Sequence, residues 1–155
     1  MTGTVIELSS HNEEHTIALG ERVGSALMPG DLVALAGPLG AGKTVFVRGL
    51  ASGAGTDPRE VRSPTFVLHH VYRGSRLTLH HIDLYRLGPV AELQVLDIEG
   101  LLESGAVAIE WSDLADLRVF DPARITIEAL DDGARLIRLE EPALPRLAAA
   151  WVHDR

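Results

Sequence analysis

The stretch Leu32–Thr44 reads LVALAGPLGAGKT. Its first five residues form an unbroken apolar run, the pattern of a strand buried on both faces. A glycine-rich segment, Gly37–Gly42, follows, and then a helix runs to about Ala54. The eight residues Gly37-Pro38-Leu39-Gly40-Ala41-Gly42-Lys43-Thr44 satisfy G-x-x-x-x-G-K-[ST] at every fixed position. A chance match in a chain of this composition is roughly a one-in-a-thousand event. The residue types follow from the chemistry. Glycines let the backbone curl so that successive N–H groups point inward at phosphate oxygens. The helix behind them adds the positive end of its dipole. Lys43 would then bridge the β- and γ-phosphates, and the Thr44 hydroxyl would ligate Mg²⁺. Gly37, Leu39, Gly40, Ala41, Gly42, Lys43, Thr44 and Val45 are therefore the candidate nucleotide-binding residues.

Composition supports the weight placed on Lys43. Of the 14 basic residues, 13 are Arg and Lys43 is the single Lys. Arg serves wherever a generic surface cation is needed. The one compact ammonium sits where a phosphate needs it. The 155 residues suit a single domain over 1–155, large enough to bury a core without staples. There is no cysteine, which excludes disulfides, thiolate metal sites and thiol nucleophiles. No apolar run approaches the roughly 18 residues that cross a bilayer. The opening MTGTVIELSSHNEE lacks the basic and apolar regions of a signal peptide. A net charge of −8 argues against gripping a phosphate backbone as the main activity.

Working outward from the loop, Val5–Leu8 reads as a strand. Ser10 with Glu13 reads as a capping box that opens a helix through about Met28. Phe66–Tyr72 and Leu77–Leu84 read as a hairpin turning at Gly74-Ser75, which would set His69 opposite His80 and Leu68 opposite His81. Pro89–Leu96 and Ile98–Glu103 read as short helices. Ala106–Trp111 reads as a buried strand. Arg124–Ala129 and Arg135–Glu140 read as a second hairpin around Asp131-Asp132-Gly133, and a terminal helix follows Pro142. Buried strands mixed with helices and hairpins predict an α/β, three-layer sandwich of the P-loop NTPase kind, with a mixed parallel and antiparallel central sheet.

A phosphate loop needs an acid at the end of a neighbouring strand. Asp83 and Glu110 both fit. One would hold Mg²⁺ and the other orient the attacking water, in either assignment. Ser63-Pro64-Thr65, between an irregular loop and a strand, suits a segment that senses the γ-phosphate, with Thr65 as the reaching hydroxyl. Trp111, Tyr85 and Arg86 lie near the two acids and are candidates for stacking, phosphate or partner contact. The facing His residues of the first hairpin lack a third ligand, so no zinc site is expected. His81 shares a strand face with Asp83.

In order, the chain carries GPLGAGKT (37–44), SPT (63–65), HIDLYR (81–86) and EW (110–111). This set resembles the TsaE family, small bacterial P-loop ATPases of tRNA threonylcarbamoyladenosine biosynthesis, over about residues 5 to 130. The resemblance implies ATP or ADP with Mg²⁺ as ligands and slow ATP hydrolysis by the isolated chain. It implies docking onto TsaD-type and TsaB-type proteins, which transfer threonylcarbamoyl to adenosine 37 of tRNAs reading ANN codons. Hydrolysis would reset that complex between cycles. By the same resemblance Lys43, Asp83, Glu110 and Thr65 are catalytic, Thr44, Glu110 and Asp83 bind the metal, and Trp111 lies beside the nucleotide. A cytoplasmic location is implied, with no membrane and no DNA among the partners. Pro38 and Val45 depart from the family pattern, where Asp and Thr are common. The acidic charge fits action on tRNA through protein partners. Two other classes use the same loop: a small-molecule kinase and a nucleotide-gated binding module without turnover. The first needs an acceptor pocket and an arginine-bearing lid, for which 155 residues leave little room.

Overall fold

The computed structural model describes residues 5–38, 40–62, 69–87, 96–140 and 149. Within these, β1 (Val5–Ser10) leads to α1 (Glu13–Ala26), β2 (Leu32–Ala36) and α2 (Lys43–Gly53). Then come β3 (His69–Arg73), β4 (Thr78–Asp83), α3 (Ile98–Ser104), β5 (Ala106–Glu110), β6 (Ala123–Ala129) and β7 (Arg135–Glu140). The strands form one seven-stranded sheet in the order β1-β7-β6-β2-β5-β4-β3. β6, β2, β5 and β4 run parallel, and the pairs β1–β7, β7–β6 and β3–β4 are antiparallel. The expected mixed sheet and layered α/β fold are both present.

β2 is buried on both sides, as its apolar run requires. Val33 and Leu35 join the core shared with α1 and α2, while Leu32 and Ala34 join the core on the opposite face, with Ile98 of α3 and Leu117. β5 divides in the same way, with Ala106 and Ala108 on one side and Val107 and Ile109 on the other. Phe46, Val47 and Leu50 of α2 are fully buried against the first face. The outcome is a parallel centre whose strands all end at one edge. Ala36, Asp83 and Glu110 lie at that edge, because β2, β4 and β5 share a direction.

α1 and α2 approach backbone to backbone. Gly20 and Gly24 of α1 meet Gly49 and Gly53 of α2. A Cβ placed on any of the four would stand 2.2–2.4 Å from a carbonyl oxygen of the facing helix. Two G-x-x-x-G spacings, one per helix, make this contact.

Three expectations need correction. The cap of α1 is Asn12, whose side chain accepts the His15 N–H at 2.8 Å. Ser10 instead ends β1 and bonds Thr16 Oγ1 at 2.6 Å. The helix stops at Ala26 rather than near Met28, because Asp31 accepts the Met28 N–H at 2.8 Å and turns the chain toward β2. The first hairpin joins through Gly74–Leu77, with Arg73 opposite Thr78, His70 opposite His81 and Val71 opposite His80. That register is two residues from the expected one. The loop is tied down elsewhere: Arg76 N and Leu77 N both donate to Ala54 O, and the Arg76 guanidinium donates to Gly53 O, Leu27 O and Gly24 O. His69 Nε2 nevertheless meets His80 Nδ1 at 2.9 Å, diagonally. Pro89–Val95, Phe66–Leu68 and the helix after Pro142 lie outside the described residues, apart from Ala149.

Candidate functional site

The glycine loop leaves β2 and enters α2 at the sheet edge. Gly37 has φ 152 and Gly42 φ 110, and a side chain at Gly37 would strike Ile127 O at 2.3 Å. Position 37 thus admits only glycine, because β6 passes beside the loop. Gly42 caps α2 with no side chain to bond the first turn. The uncapped N–H groups and the helix dipole therefore face the adjoining cleft.

That cleft has a volume of about 510 Å³. Gly40, Gly42, Lys43, Thr44, Val45, Asp83, Glu110 and Trp111 all line it, so the structure brings together most of the residues singled out above. Leu39 and Thr65 lie outside the described residues. Ala41 is buried behind the loop, where its N–H bonds Pro38 O at 3.1 Å.

Lys43 is buried, and its ammonium donates to Gly37 O at 2.5 Å and Pro38 O at 3.0 Å. It also lies 4.1 Å over the Trp111 ring. Burial pulls its pKa below the ordinary value, against the pull of Glu110, Asp83 and Asp113. An anion in the cleft would offset that desolvation, as the loop carbonyls do here. Trp111 reaches the cleft because it leaves β5 at φ 59, a left-handed conformation for a bulky residue. Tyr85 stands 4.9 Å from it, ring to ring, and is 61% exposed.

Asp83 and Glu110 are register partners across β4 and β5, so both side chains project on the same face at the same edge. They are held differently. Asp83 accepts the Tyr85 N–H at 2.9 Å. Burial drives its pKa upward. The Tyr85 N–H opposes the shift, the Glu110 charge adds to it, and His81 and Lys43 oppose it. Glu110 accepts the Thr44 hydroxyl on both oxygens, at 3.0 and 2.9 Å. Its Oε2 also accepts His81 Nε2 at 2.5 Å. His81 Nδ1 in turn meets the Tyr72 hydroxyl at 3.0 Å. Burial pushes the Tyr72 phenol up to about 12, so it stays a donor.

Sequence reasoning missed the far wall. Asn12, Glu13 and Thr16 of α1, with Gly133 and Arg135 of the second hairpin, line the same cleft. Arg135 lies opposite Ser10 in the β1–β7 pairing, which carries it to the start of α1. Its guanidinium bonds Gly133 O, Ala134 O and, at 3.4 Å, Gly40 O. No local motif marks it. Only the strand pairing brings it to the loop. Among the described residues no group of three or more ligating side chains forms a separate metal centre, and no helix is long and apolar enough to cross a membrane. Arg86 lies in the 3-10 turn after β4.

Comparison with known proteins agrees with this geometry. The family model described as threonylcarbamoyl adenosine biosynthesis protein TsaE matches residues 10–137. The tRNA threonylcarbamoyladenosine biosynthesis protein TsaE of Rickettsia felis is 37% identical over 127 residues, covering 81% of this chain and 74% of the relative. Its counterpart in Nostoc sp. is 40% identical, covering 80% and 78%, and that of Treponema pallidum is 41% identical, covering 83% and 95%. The crystal structure of Bacillus subtilus YdiB superimposes with a TM-score of 0.73 over 97% of this chain and 93% of that one, at 24% identity, and so shares its fold. With that family model spanning most of its length and relatives of this identity, the chain belongs to the TsaE family of tRNA threonylcarbamoyladenosine biosynthesis.

Proposed function

We propose that the chain binds ATP and ADP with Mg²⁺ and hydrolyses ATP, weakly alone and faster with TsaD-type and TsaB-type partners. In that assembly it would serve threonylcarbamoylation of adenosine 37 of tRNAs reading ANN codons, in the cytoplasm, resetting the complex between cycles. One observation carries the reading: the Thr44 hydroxyl on the first turn of α2 is bonded to the Glu110 carboxylate, beside Lys43 and an uncapped helix start.

The residues fit both ligands. Magnesium favours oxygen donors, and Thr44, Glu110 and Asp83 supply a hydroxyl and two carboxylates at one edge. Bound Mg²⁺ would neutralise charge on the phosphate oxygens. Loop N–H groups would receive the phosphates, and Lys43 would exchange its carbonyl partners for phosphate oxygens. Thr44 and Glu110 would hold the metal. Asp83, held only by a backbone amide among the described contacts, would orient the attacking water and take up its proton. The raised pKa of Asp83 suits that task. Trp111 would lie against the nucleotide.

Weak activity alone follows from the arginines. Arg135 lines the cleft, but its guanidinium is committed to backbone carbonyls of its own hairpin and of the loop. Among the described residues no other arginine lines the cleft, and without a free guanidinium on the γ-phosphate a large part of the rate is missing until a partner rearranges the site. The test is Mg-dependent ATP hydrolysis by the purified chain, alone and with a TsaD–TsaB pair. Slow release of phosphate that rises strongly with the pair supports the reading. A rate indifferent to the pair removes the partner assignment.

A further inference from the structure

Glu110 ends a strand, and its carboxylate hangs on three rotatable bonds, the last of them torsionally soft. Trp111, in a left-handed conformation, turns the chain away immediately afterwards. The strand alone therefore does not aim the carboxylate at Thr44, and the bonds around it must do so.

Those bonds come from the first hairpin. His81 lies opposite Ala108 on β5, two residues before the Asp83–Glu110 pair. Both members of that step share one sheet face. The His81 ring is fully buried and reaches Glu110 Oε2. Behind it, Tyr72 on β3 sits two residues beyond His70, the register partner of His81, and bonds Nδ1. In the tautomer that satisfies every partner, Nε2 donates to the Glu110 carboxylate and Nδ1 accepts from Tyr72. The result is a buried line of hydrogen bonds, Tyr72–His81–Glu110–Thr44, spanning three strands and the start of α2. It fixes Oε2 with two donors, while Oε1 receives only the Thr44 hydroxyl among the described bonds and remains able to take a further ligand.

We propose that His81, braced by Tyr72, is a positioning residue that aims Glu110 for Mg²⁺, so that the β3–β4 hairpin sets how strongly the metal tightens nucleotide binding. This rests on the Mg-nucleotide reading of the cleft. An apolar filler could pack His81's place, as Leu79 and Ile82 do on the same strand. It could not hold Oε2.

The test is equilibrium dialysis with labelled ADP, in EDTA and in Mg²⁺, on the parent chain and on His81→Leu, His81→Gln and Tyr72→Phe. The quantity read is the gain in affinity on adding Mg²⁺. All variants are expected to match the parent within about twofold in EDTA, since no phosphate contact is touched. The Mg²⁺ gain should fall about tenfold in His81→Leu and about threefold in Tyr72→Phe, in line with losses seen when partners of metal ligands are removed. His81→Gln should recover most of it, because its amide can still donate to Oε2. Tyr72→Phe and His81→Gln keep the core filled and carry the test if His81→Leu does not fold. A parent-like Mg²⁺ gain in Tyr72→Phe and in whichever His81 variants fold overturns the proposal. So does an equal loss in EDTA and in Mg²⁺, which marks a purely structural role. A parent chain that shows no Mg²⁺ gain overturns the reading of the site itself, and with it the proposal.

Discussion

Glycine serves two regions of this molecule for opposite reasons. In the loop between β2 and α2, Gly40 and Gly42 lie at positive φ, and what matters is the backbone conformation; little or nothing crowds them. Between α1 and α2, Gly20, Gly24, Gly49 and Gly53 are ordinary helical residues, and what matters is the missing side chain. The first set shapes one wall of the cleft. The second lets two helices touch. Damage to the two should therefore separate: the helix glycines govern whether the chain folds, and the loop governs what the folded chain binds.

Gly24→Val should break the helix contact outright. Its Cβ would lie 2.3 Å from Leu50 O, and backbone cannot yield as a side-chain tip can. A loss of at least about 3 kcal/mol is expected, read as a lower urea midpoint or failure to fold. Lys43→Ala should do the reverse. Losing a charge-assisted contact of about 2 kcal/mol weakens ADP binding roughly thirtyfold. The urea midpoint should hold or rise, because a poorly solvated ammonium has gone. Gly40→Ala lies between: nothing crowds a Cβ there, so the cost is the strain of φ 78, about 1 kcal/mol, with the nucleotide weakened through the altered loop.

The smallest effect comes from Asp83→Asn. Burial raises the Asp83 pKa, so its charge costs stability. The cost is absent below the ordinary value of 3.8 and complete once pH passes the higher folded value. The variant should equal the parent at acid pH. At pH 7 it should be more stable than the parent, while losing ATP hydrolysis. A variant less stable at pH 7 than at acid pH, relative to the parent, would contradict the sign.

The parts of this molecule that were legible in sequence are those fixed by neighbours in the chain. LVALA could only be a doubly buried strand, and GPLGAGKT carries its own chemistry. Asp83 ends the strand-like run Leu77–Ile82, Glu110 ends the apolar run Ala106–Ile109, and the sheet sets them side by side. What escaped is set by distant partners. The hairpin register depends on Ala54, some twenty residues upstream, which captures the amides of Arg76 and Leu77. Arg135 and Asn12 reach the cleft through the pairing of β1 with β7. The two G-x-x-x-G spacings were visible, but a helical glycine signals close approach only when the facing helix is known. His81 stood out for sharing a face with Asp83, yet its bond is to Glu110 on the next strand.

In the proposed function, the cleft beside Lys43, Thr44 and Glu110 takes a magnesium nucleotide. Binding of ADP to the parent and to Glu110→Gln, with and without Mg²⁺, tests it most directly. Mg²⁺ is expected to tighten ADP binding to the parent and to leave the variant nearly unchanged, while both bind alike in EDTA. Equal tightening in parent and variant, or no ADP binding by the folded parent, would contradict it.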